Sequence, residues 1–136
     1  MSKYLVAGLL ALTFAFPVTS ASAQERVTAV LKSGERVTGE LVDLGGRDYT
    51  FRVNGRERRI RIADMAMIDF PGTAPNVSES ELARAGQGNH VIVLRNGKTL
   101  NGRLVDVSES SQPLVLHLEV NGERRRMTSQ QVARIY

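Results

Sequence analysis

The chain has 136 residues, a formal net charge of +4 and no cysteine. The missing cysteine excludes disulfides and a lipid-modified N-terminal cysteine, so neither a covalent staple nor a lipid anchor is available. The modest positive excess is nearly all arginine, a charge that attracts anionic envelope polymers or membrane surfaces and equally keeps a small domain soluble.

Met1-Ser2-Lys3-Tyr4 carries one positive charge, and Leu5 to Phe16 is an almost purely apolar run, the two opening regions of a secretory signal. Pro17 breaks the run, and Ala21-Ser22-Ala23 supplies the small residues a signal peptidase accepts, which predicts a signal peptide over 1–23 cleaved after Ala23. The run is shorter than the ~20 residues that span a bilayer. No later stretch is apolar enough to cross one, and the start has no twin-arginine pair. A periplasmic or secreted protein is expected, with Lys3 removed and a mature charge of +3.

Beyond Gln24 the apolar residues alternate, as in Val37, Gly39, Leu41 and in Tyr49, Phe51, Val53, which is strand periodicity. Strands are predicted near 27–32, 36–44, 48–53, 56–62 and 66–70. Asn54-Gly55 joins two of them as a two-residue hairpin turn, because the turn that matches strand twist needs positive φ at both positions. Pro71 to Gly88 reads as a linker, and Ser78 followed by Glu81 is a capping box for a short helix over 79–85. The remaining chain predicts strands near 90–95, 99–107, 114–120, 123–128 and 132–136, with Asn121-Gly122 as the second hairpin turn.

The two strand-rich segments are copies of one another. Leu31 to Leu44 is answered by Leu94 to Val107 at a constant shift of 63, and Val53-Asn54-Gly55 through Arg59 by Val120-Asn121-Gly122 through Arg126 at 67. The second copy therefore carries four extra residues, which must fall in the loop around Ser108 to Pro113, since an insertion inside a paired strand would turn its side chains from core to solvent. Five short strands in so few residues cannot form a sandwich, so the expected fold class is all-β: two small five-stranded barrels in tandem, over 24–70 and 89–136, joined by the linker 71–88. The expected cores are Val30, Val37, Leu41, Tyr49, Phe51, Ile60, Met65 and Ile68 in the first copy, and Val93, Leu100, Leu104, Leu116, Leu118, Met127, Val132 and Ile135 in the second. Gly39 and Gly102, each in mid-strand, mark a sharp bend or a close backbone approach. Each core is small, which predicts that the copies pack on one another or that the protein forms a homo-oligomer.

The pattern of an apolar residue, a glycine turn, then apolar-x-Gly-x-apolar-x-Asp at Val30 to Asp43 and Val93 to Asp106 resembles the first motif of Sm-like proteins, and also short modules of exported bacterial proteins of unassigned function. The resemblance implies an Sm-like barrel in each copy. Sm-like proteins commonly bind RNA through a polar loop after the motif aspartate and through an Ile-Arg-Gly turn. The corresponding loop here, Leu44-Gly45-Gly46-Arg47-Asp48, has no asparagine, and the turn positions read Ile60-Arg61-Ile62 and Met127-Thr128-Ser129, so RNA is not an expected partner.

Charge concentrates in both copies at the same place, Arg56, Arg58, Arg59 and Arg61 in the first and Arg124, Arg125 and Arg126 in the second. Hairpin counting sets Arg52 opposite Glu57, Asp48 opposite Arg61 and Glu119 opposite Arg124, so cross-strand ion pairing accounts for part of this arginine. Arg59 and Arg126 are left without such a partner and, with Arg58 and Arg125, are the candidate anion-binding residues. No catalytic constellation appears: His90 and His117 have no short-spaced partner ligand, Asp43 and Asp106 suit loop capping, and Ser108 to Ser111 lacks the glycines of a nucleophile elbow. No cofactor or metal is expected. The reading is a non-catalytic exported envelope protein acting as an interaction or structural module, with a protein or an anionic envelope polymer as partner; the alternative is a polyanion-binding module that uses the arginine-rich hairpins.

Overall fold

In the computed structural model the described residues are 25–88, 90–108 and 113–136. The expected signal peptide and the inserted positions 109–112 lie outside the described residues. The strands are β1 (Arg26–Leu31), β2 (Arg36–Gly45), β3 (Asp48–Val53), β4 (Arg56–Arg61), β5 (Met65–Asp69), β6 (Val91–Leu94), β7 (Thr99–Ser108), β8 (Val115–Val120), β9 (Glu123–Thr128) and β10 (Val132–Ile135). A helix, α1 (Glu79–Gly86), interrupts them after β5. No helix among the described residues is long and apolar enough to cross a membrane.

Local chemistry explains each hairpin. Asn54 and Gly55 have φ of 51° and 78°, and Asn121 and Gly122 have 52° and 81°, the paired left-handed conformation that lets a two-residue turn follow strand twist. The bend in each long strand has the same cause in both halves. A Cβ at Gly39 would lie 2.5 Å from the Arg52 carbonyl oxygen, and one at Gly102 would press on the Glu119 carbonyl. Just beyond each glycine the ladder slips, between Leu41 and Asp43 and between Leu104 and Asp106, so that β2 and β7 curl over the core.

The strand order is β4-β3-β2-β1-β5-β10-β6-β7-β8-β9, and each neighbouring pair is antiparallel. Instead of two closed barrels, the described strands make one open, ten-stranded sheet. The reason lies in β5: one of its edges pairs with β1 and the other with β10, where Ile135 sits opposite Ile68 and Arg134 opposite Asp69, so neither edge is left to receive β4. The sheet curls instead. It brings β2 and β7, which share no ladder, against each other.

A single apolar cluster fills the inside and draws on both halves, with Phe51, Ile68 and Phe70 from the first and Ile92, Leu116 and Leu118 from the second, all at most 2% exposed. The expected Val30 is only half-buried, whereas Val27 and Ala29, on the other face of β1, are fully buried. Its counterpart Val93 is buried but stands outside the core cluster, on a strand that α1 packs against. Met65, Leu100 and Met127 pack against the cluster from partly buried positions at its rim.

The linker is tied down by side chains. Ser78 caps α1 by accepting a hydrogen bond from the Glu81 amide at 3.1 Å. The Glu81 side chain is buried and takes a two-pronged bond from Arg134 on β10, Nε to Oε1 at 2.7 Å and Nη2 to Oε2 at 3.0 Å, while the Tyr136 hydroxyl donates to the same carboxylate at 2.7 Å. Arg134 also donates to the Pro75 carbonyl, and Arg95 donates to the carbonyls of Pro71, Thr73 and Ser129. Two arginines thereby hold both ends of the segment that leads into α1.

Candidate functional site

The arginine-rich segments become β4 and β9, the two strands at the ends of the order, each paired on one side only among the described residues. All of β4 except Ile60 is exposed, as is β9 from Glu123 to Arg126. Opposite residues in an antiparallel pair share a face. Arg59 faces Thr50 and Arg126 faces His117, so both arginines lie on the outer surface; Arg58 faces Phe51 and Arg125 faces Leu118, which places them at the lip of the core face.

The hairpin register agrees with the counting from the turns: Arg52 is opposite Glu57, Asp48 opposite Arg61 and Glu119 opposite Arg124. The ion pairs form elsewhere. Arg52 reaches inward to Glu40 of β2 at 3.4 Å, and Glu119 reaches inward to Arg103 of β7 at 3.5 Å. Arg58 spans to Glu35 in the β1–β2 turn, at 2.9 Å and 3.0 Å through its two terminal nitrogens. The bond from Arg58 holds the Glu35 carboxyl below its ordinary pKa. The position matching Glu35 in the second half is Lys98, and Arg125 has no ion-pair partner among the described residues. Arg56, Arg59, Arg61, Arg124 and Arg126 likewise have none there.

Together β4 and β9 hold seven arginines and two glutamates, a larger positive excess than the net +4 of the whole chain. The rest of the protein is therefore close to neutral, and the charge is concentrated on two exposed, one-sided strands. Such a field attracts anions, and the forked guanidinium groups match the geometry of carboxylate, sulfate and phosphate.

Two features escaped the sequence reading. The first is a contact between Ser108 Oγ and His117 Nε2 at 3.1 Å across β7 and β8. A slip in the ladder brings those residues together, and no local spacing announces it. Among the described residues no hydrogen-bonded acid orients the imidazole, so the pair lacks the third member of a nucleophilic triad. The second is a cavity of about 300 Å³ at the seam between the halves, walled by Tyr49, Ile62 and Ile68 on one side and Leu104, Val105 and Ile135 on the other. No group of three or more metal-ligating side chains occurs among the described residues.

Comparison with known proteins leaves the site to speak for itself: no family model, curated protein or solved structure matches the chain.

Proposed function

We propose that this is a non-catalytic, exported binding module that holds an anionic envelope polymer along its two arginine-rich edge strands. In this reading residues 1–23 are removed on export, and each half is a small Sm-like unit whose barrel is left open so that the two can join through β5 and β10. The observation that carries it is the pattern of ion pairs. Glu40 and Arg103 engage Arg52 and Glu119 from inside, and of the seven edge arginines only Arg58 has an ion-pair partner among the described residues, so the charge of the other six stays available to a ligand.

Binding to heparin, a sulfated glycan, tests the proposal. The parent protein should bind with an affinity that falls steeply as salt rises, because counterions released from the polymer drive association. Arg59→Ala combined with Arg126→Ala should weaken binding and make that salt dependence shallower, with the fold unchanged by circular dichroism. Unaltered binding in the double variant would remove Arg59 and Arg126 from the site. Absence of heparin binding, with salt-independent capture of an envelope protein, would replace the proposal by a protein-docking module.

A further inference from the structure

The two halves close differently at one equivalent position. In the second half the Ser129 amide donates to the Leu114 carbonyl at 2.9 Å; in the first, the matching bond runs from the Ile62 amide to the Arg47 carbonyl at 2.9 Å. Around the second bond pair the site is sealed: Leu114 and Ser129 are both buried, and the Ser129 hydroxyl bonds Glu25, in the segment that leads into β1. In the first half the same positions stay open. Arg47 is exposed, Ile62 is 39% exposed, and Ile62 borders the 300 Å³ cavity at the β2–β7 seam.

The chemistry of this opening is amphipathic. Its wall is mostly apolar, and an apolar side chain as exposed as Ile62 is one of only three large ones among the described residues. No Asp or Glu side chain lines the cavity, whereas His90, Tyr136 and Arg103, itself paired with Glu119, do, and Arg47 and Arg61 border the groove that continues past Ile62, with Asp48 as the one acid there. Tyr49 adds a polar group to the wall, and its hydroxyl has no hydrogen-bond partner among the described residues. Burial pushes the Tyr49 phenol up to about 12, so it stands there as a neutral donor.

We infer that the seam cavity is a binding site for a small amphipathic anion, a single short hydrocarbon chain with a carboxylate or phosphate head, the chain lying against Ile62, Ile68 and Val105 and the head among the arginines at the mouth. A cavity of this size stands at the small end of the range that ligand pockets occupy, roughly 300–1,000 Å³, and admits one chain, not a two-chain lipid. The site is separate from the outer-face arginines Arg59 and Arg126.

Calorimetric titration of the purified protein with decanoate, octanoate and decyltrimethylammonium tests this. Decanoate should bind one per chain, and octanoate about tenfold more weakly, since each buried methylene strengthens binding severalfold. The cationic amphiphile should bind far more weakly than decanoate. Val105→Phe, which fills the cavity, and Ile62→Asp, which places a charge at an already exposed position and leaves the fold intact, should each abolish decanoate binding. Arg59→Ala with Arg126→Ala should leave it unchanged, which separates this site from the polymer site. Equal binding of the cation, no dependence on chain length, or parent-like decanoate binding by folded Ile62→Asp would each overturn the inference.

Discussion

Glu81 and Arg134 stand 53 residues apart in the chain and meet, buried, between α1 and β10. Burial alone would push the Glu81 carboxyl up, but the bonds from Arg134, Tyr136 and Ser78 and the charge of Arg134 outweigh it and leave it below the ordinary 4.5. Removing one partner strands a buried charge. Glu81→Ala should therefore cost about 3 kcal/mol in urea unfolding, whereas Glu81→Leu with Arg134→Met should recover most of that loss, because an apolar pair can replace a buried ion pair. The pH dependence follows the same residue. With the folded pKa below the unfolded one, the stabilisation is complete above the unfolded value and disappears as pH falls through the folded one. The thermal midpoint of the parent should drop between about pH 5 and pH 3, and Glu81→Gln should show a smaller drop over that range. Half of this arrangement was legible in advance, since Ser78 and Glu81 announce a capped helix. The other half was not, because nothing near Arg134 marks it as the partner of a residue in the linker.

At the scale of elements, the turns were the most legible feature, since Asn-Gly fixes both φ signs and so the register that places Arg59 and Arg126 on the outer face. The mid-strand glycines were legible too, as close approaches of backbone. Gly39→Ala and Gly102→Ala should each destabilise by about 1–3 kcal/mol, the usual cost of forcing atoms into a packed site, and chemical denaturation will measure it. Closure was illegible. Whether β5 receives β4 or β10 on its second edge depends on which strand competes better in three dimensions, and the residues of β5 read the same either way. The arginines of β4 and β9 have a further role at this scale, because charged, short edge strands resist pairing with other copies. Replacing Arg59 and Arg61 with threonine should raise the aggregation rate, read by light scattering, while the monomer's circular dichroism stays that of the parent.

Over the whole molecule, one apolar cluster, the β5–β10 ladder and the α1 tether bind the halves into a single body. Fragments 24–72 and 86–136 should each be poorly folded by circular dichroism and hydrogen exchange, because separation exposes the shared core and leaves the inner edges of β5 and β10 unpaired. Two fragments that each unfold at the midpoint of the parent would show independent domains. The sequence repeat made the duplicated halves visible, but a merged core is a property of their packing, and two separate sets of alternating apolar residues suit separate barrels equally well. The same packing sends β4 and β9 to the two ends of the sheet, where their arginines face solvent. The most direct test of the account is therefore an amide NMR titration of the folded protein with a heparin oligosaccharide. Shifts concentrated in β4 and β9, absent in the Arg59→Ala and Arg126→Ala double variant, are the predicted result; shifts confined to other strands, or none at low salt, would contradict it.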